Sequence, residues 1–99
     1  MDVQRLFKII VTGDVQGVGF RAMTRQFARR NSIKGSVKNL AGGEVDIMIY
    51  GTEEEANLIR RFCASSPGLS DVHDVQMEEV HDETLKKTYK NTDGFWIDG

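Results

Sequence analysis

Between residues 13 and 21 the chain reads Gly13-Asp14-Val15-Gln16-Gly17-Val18-Gly19-Phe20-Arg21, residue types whose spacing suits the binding of an anion. Its glycines let the backbone bend so that successive N–H groups turn to one side, and a helix opening directly behind the loop adds its positive dipole end. Arg21 supplies a planar guanidinium fork that matches phosphate oxygens. A cation at the start of a helix is unfavourable unless an anion offsets it, so the position of Arg21 itself points to a bound anion. A Walker cradle would need Lys and Ser/Thr directly after its last glycine, where Phe20 and Arg21 stand. Gly17-Val18-Gly19-Phe20-Arg21-Ala22 formally satisfies a dinucleotide fingerprint. About twenty residues on, however, where that fingerprint expects a ribose-binding acid, stands Lys38, and the chain is too short for two mononucleotide-binding halves.

The elements that position this loop follow from hydrophobic periodicity. Phe7, Ile9 and Val11 alternate with Lys8, Ile10 and Thr12, which predicts a strand ending at the glycine turn. From about Ala22 to Asn31, Met23, Phe27 and Ala28 recur at helical spacing with Phe20 just ahead, while Arg25, Arg29 and Arg30 face outward. Ile33, Gly35 and Val37, then Val45, Ile47 and Ile49, alternate on either side of Leu40-Ala41-Gly42-Gly43, the pattern of a hairpin. Thr52 and Glu55 form a capping box opening a second helix that turns Ala56, Ile59, Phe62 and Cys63 inward and ends before Pro67-Gly68. Val72, Val75, Met77 and Val80 mark a fourth strand of irregular alternation, the stretch from Glu78 to Lys90 reads as a polar loop, and Phe95-Trp96-Ile97 adds a short last strand. The order βαββαβ predicts an α+β sandwich in which two helices cover one face of an antiparallel sheet of four or five strands. Ninety-nine residues suffice for one domain, 1–99, burying roughly two thirds of its unfolded surface.

Taken whole, Gly13 through Arg21 resembles the first signature of the acylphosphatase family, G-x-V-Q-G-V-x-F-R, at every specified position. The family's second signature resembles Gly35-Ser36-Val37-Lys38-Asn39 running through Gly43 and Val45 to Gly51, with Ser36 standing where the family places an aromatic. The resemblance implies a ferredoxin-like sandwich and hydrolysis of acyl phosphates. It further implies that Arg21 binds the phosphoryl group, that Asn39 orients the attacking water, and that the backbone amides of Gln16, Gly17, Val18, Gly19, Phe20 and Arg21 wrap the same phosphate. The parity of Asn39 with Ile33, Gly35 and Val37 starts it from the helix-facing side of the hairpin. Such chemistry needs no cofactor and no metal.

The net charge of −2 hides a split. Residues 1–40 carry eight Lys/Arg against two Asp/Glu, and residues 41–99 carry five against thirteen. That polarity suits a small anionic substrate and argues against a long nucleic acid, whose broad phosphate footprint tolerates few carboxylates. The one cysteine, Cys63, lies in an apolar helical stretch and reads as packed, which favours a reducing compartment. The apolar run from Leu6 to Val11 is broken by Lys8 and too short for a signal or membrane helix. His73 and His81, eight residues apart, lack a tight set of companion ligands. The expectation is a monomeric, cytoplasmic hydrolase of a small-molecule acyl phosphate, with no nucleic-acid or membrane partner. The alternative is a non-catalytic ligand-binding or regulatory module on the same sandwich.

Overall fold

The structure, a computed structural model, describes residues 3–98. Its elements are β1 (Arg5–Asp14), α1 (Phe20–Arg30), β2 (Lys34–Asn39), β3 (Val45–Gly51), α2 (Glu53–Ala64), β4 (Asp71–Val80), α3 (Glu83–Lys90) and β5 (Phe95–Ile97). The strands form one sheet in the order β4-β1-β3-β2-β5. β1 pairs antiparallel with both β3 and β4, and β2 pairs antiparallel with β3. β5 runs parallel to β2, so the sheet is mixed at that edge and not wholly antiparallel as expected.

The alternation read from the sequence sorts into two faces. Phe7, Ile9 and Val11 of β1, Val37 of β2 and Val45, Ile47 and Ile49 of β3 pack with Ala28, Ala56, Ile59 and Cys63 of α1 and α2 in the main core. Each of the large aliphatics, withdrawn fully from water, contributes about 1.5–3 kcal/mol. Phe62 is only half-buried, since it stacks on Phe27 with ring centroids 4.2 Å apart and closes the seam between α1 and α2. Thr24 is fully buried instead, its hydroxyl satisfied by donating to the Phe20 carbonyl at 2.9 Å.

The opposite face carries Leu6, Met48, Tyr50 and Tyr89, with Val80 and Trp96 packed against them. Tyr89 comes from α3, so the molecule has three helices and the third covers the face that the βαββαβ reading leaves open. Asp82 caps α3 by accepting from the Thr84 and Leu85 N–H groups, and the Tyr89 ring stacks on Trp96 at 5.3 Å. Its hydroxyl meets Ser36 Oγ at 2.6 Å. Ser36 is therefore no outward-facing solvent residue: it is 4% exposed, and its small size leaves room for the Tyr89 phenol.

The irregular alternation of β4 has a local cause. The register slips between Thr12 and Gly13, which face Asp74 and Val72, leaving His73 as the extra residue of a bulge. A side chain at position 13 would strike the Asp71 carbonyl and lie 2.8 Å from the His73 nitrogen, so the close approach requires glycine. The bulge lies opposite the end of β1, just before the chain enters the loop from Val15 to Gly19.

Candidate functional site

Gly17 and Gly19 both hold φ of +78°, the left-handed conformation that places consecutive N–H groups on one concave side. Added Cβ atoms would meet nothing at either position, so the demand for glycine is conformational, not steric. Gly19 is the N-cap of α1, with no side-chain cap and no acidic residue in the first turn. The other two helices are built differently. α2 opens on the Thr52–Glu55 capping box with Glu53, Glu54 and Glu55 in its first turn, and α3 opens on Asp82 with Glu83. Those helices satisfy their orphan N–H groups and positive ends from within the chain, whereas α1 presents both beside the glycine loop.

Arg21, Gly17, Gly19 and Phe20 are brought together around a cavity of about 170 Å³, with Val15, Ala22 and Ile97 completing its walls. Val15 and Phe20 are 1% exposed and act as struts that anchor the loop in the core. Gln16 and Val18 do not line the cavity. Val18 packs against the core, and Gln16 points toward the β2–β3 turn. Asn39 also stands outside the cavity lining, at the last position of β2 opposite Val45. Its Oδ1 is buried and accepts no hydrogen bond among the described residues.

The link between loop and hairpin is a feature the sequence does not signal. Gln16 Nε2 donates to the carbonyls of Leu40 and Glu44, both at 2.9 Å. Leu40 and Glu44 frame the turn that begins directly after Asn39, where Leu40 N also bonds the Glu44 carbonyl at 2.8 Å. One side chain thus fixes the glycine loop against the turn that follows Asn39. A glutamine in a glycine loop could equally face solvent, and only the turn's approach in space distinguishes the two.

The remaining candidates fall elsewhere. Burial pushes the Cys63 thiol up to about 12, so it is a packed core residue and no nucleophile. His73 and His81 are exposed on and just after β4, each beside a single carboxylate, Asp71 at 3.4 Å and Glu79 at 3.9 Å. No described helix is long and apolar enough to cross a membrane.

Comparison with known proteins agrees with this geometry. The acylphosphatase family model matches residues 7–95. An acylphosphatase of Archaeoglobus fulgidus is 42% identical over 79 residues, covering 80% of this chain and 89% of that one. The solved acylphosphatase of Coxiella burnetii superposes with a TM-score of 0.80 at 26% identity, over 96% of this chain and 93% of that one. A probable carbamoyltransferase HypF of Methanocaldococcus jannaschii is 36% identical over 96 residues, which is 96% of this chain but 12% of that protein. With the loop, the hairpin and nearly the whole length matched at this identity, the chain belongs to the acylphosphatase family.

Proposed function

We propose that residues 1–99 act as one acylphosphatase domain that hydrolyses the carboxyl–phosphate bond of small acyl phosphates, with Arg21 and the loop amides from Gln16 to Arg21 holding the phosphoryl group. The observation that carries this reading is the start of α1, where uncapped N–H groups, a left-handed glycine pair and a guanidinium surround one cavity. Donors preorganised in this way stabilise the charge on the equatorial oxygens of a transferring phosphoryl group without reorganisation.

The reaction needs little else. The departing carboxylate has a conjugate acid of pKa about 4, so it leaves without protonation by a dedicated acid. Asn39 orients the attacking water, and its place at the end of β2, beside the turn that Gln16 ties to the glycine loop, supports that role. An amide is too weak a base to remove that proton, which passes to a phosphate oxygen of the substrate. Water's oxygen then bonds to phosphorus in line as the P–O bond to the acyl oxygen breaks, giving carboxylate and inorganic phosphate. A small-molecule substrate is further supported by α3, which covers the sheet face that RNA-binding sandwiches use for stacking. The single, buried thiol of Cys63 supports a reducing, cytoplasmic compartment, and the acidic balance of residues 41–99 supports the absence of a nucleic-acid partner.

A second reading of the acyl group rests on the likeness to the probable carbamoyltransferase, which spans 96% of the chain. It takes carbamoyl phosphate, with the same cradle on the shared phosphate end, as the preferred substrate. Hydrolysis of benzoyl phosphate and carbamoyl phosphate in excess chelator, by wild type, Arg21→Ala and Asn39→Ala, tests both readings. Turnover of either substrate with a loss of roughly 10³-fold or more in Arg21→Ala is expected. Undiminished turnover in both variants would overturn the assignment, and the ratio of the two substrates decides the acyl group.

A further inference from the structure

A cavity of about 380 Å³ lies on the sheet face opposite α1 and α2, between the strands and α3. Its volume falls in the range of small-molecule sites. No residue of its lining belongs to the loop from Val15 to Gly19, and Asn39 is absent from it as well.

Asp46 is the residue that demands explanation. Its side chain is 7% exposed, yet the ion pair it makes, to Lys8 Nζ at 3.8 Å, engages Oδ2, and Oδ1 has no hydrogen-bond donor among the described residues. A carboxylate withdrawn from water in this way forfeits several kcal/mol of hydration unless donors replace it, and a native chain seldom leaves such a group unsatisfied without a purpose. Burial outweighs the opposing pull of Lys8 and Lys38 on its proton affinity, which is raised. Glu78 and Asp98 add further carboxylates to the same walls. Glu79, also in the lining, is paired with Arg5 at 3.0 Å, which leaves three acids facing two lysines around the cavity, a balance that favours a cation. Apart from the paired hydroxyls of Ser36 and Tyr89, the rest of the lining is apolar: Met48 and Val80 on the strands, and Leu85 and the Tyr89 ring on α3.

We propose that this cavity is a ligand site, separate from the phosphate cradle, for a small organic ammonium whose N–H donors face Asp46 and whose apolar body lies between Met48 and Leu85. Ser36 lines the cavity and anchors its roof, its Oγ meeting the Tyr89 hydroxyl at 2.6 Å. An aromatic at that position would displace Tyr89, so the shape of the cavity depends on this chain's own departure from the family pattern.

Titration of the intact protein with phenethylammonium, followed by NMR of the Met48 and Leu85 methyl groups, tests the site. Phenethyl alcohol and phenylacetate serve as the neutral and anionic controls. The expected result is saturable shifts with a dissociation constant on the order of 1 mM, as befits a fragment-sized ligand. Binding of the alcohol is expected to be about tenfold weaker, and the anion is expected not to bind. Asp46→Asn, which keeps the shape and removes the charge, is expected to weaken phenethylammonium about tenfold or more, and Leu85→Ala, at a half-exposed position, several-fold. Absence of saturable shifts, equal binding of phenylacetate, or unchanged affinity in Asp46→Asn would overturn the proposal. None of these outcomes depends on turnover, so failure here leaves the hydrolytic reading standing.

Discussion

Removal of the Gln16 side chain is the most searching perturbation, because it tests whether loop and hairpin work as one device. The two hydrogen bonds it donates, to Leu40 O and Glu44 O, are each worth about 0.5–1.5 kcal/mol net. Both carbonyls keep a second donor, Gly43 N at 3.1 Å and Leu40 N at 2.8 Å, so neither is orphaned. Gln16→Ala should therefore lower stability by only about 1 kcal/mol. Its catalytic effect should be larger. Once loop and turn drift apart, the water at Asn39 is no longer aligned with the phosphoryl group, and misplacement of about 1 Å costs on the order of 10²-fold. Steady-state hydrolysis of benzoyl phosphate should show kcat lowered by about 10- to 100-fold with KM little changed, since Arg21 and the loop amides remain. Gln16→Glu sharpens the test. It keeps the length but aims a carboxylate oxygen at two carbonyl oxygens, and should be worse than Ala in both stability and kcat. A kcat within about twofold of wild type in both variants would refute the coupling.

Two further outcomes follow from the outer face. Asp46 has its folded pKa raised by burial, so the folded state holds this proton more tightly than the unfolded chain. The stability it contributes is present below the ordinary carboxylate value and lost as pH rises through the raised one. Asp46→Asn should therefore gain on wild type in denaturant midpoint as pH rises above the ordinary carboxylate range, and a difference that does not change with pH there would contradict the burial argument. Ser36→Trp should cost about 1–3 kcal/mol by forcing Tyr89 and α3 off the sheet, while kcat stays near wild type because Ser36 faces away from the loop. Loss of turnover in a folded Ser36→Trp protein would show that the two faces are coupled.

Much of this arrangement is legible in the residues. The glycine loop, the capping box at Thr52 and the alternation of Phe7, Ile9 and Val11 each express a local rule, and each sits where that rule predicts. α3 is the exception. Only Leu85 and Tyr89 of its eight residues give an apolar i,i+4 pair, because the helix lies on the rim of the sheet with most of its surface in water. The Asp82 cap and that pair were its available signals. The parallel pairing of β5 and the Gln16 bridge are tertiary facts, set by which distant segments meet, and no local periodicity encodes them. Ser36 illustrates the same limit, since its neighbour Tyr89 is 53 positions away.

The central claim is that the amides from Gln16 to Arg21 and the Arg21 guanidinium together hold a phosphoryl group. Titration with orthophosphate, followed residue by residue in the amide NMR spectrum, tests it most directly. The account predicts saturable shifts concentrated at Gln16 through Arg21, competition with substrate at matching concentrations, and loss of both in Arg21→Ala. Shifts that fall elsewhere while the loop is unmoved, or loop binding that survives unchanged in Arg21→Ala, would contradict it.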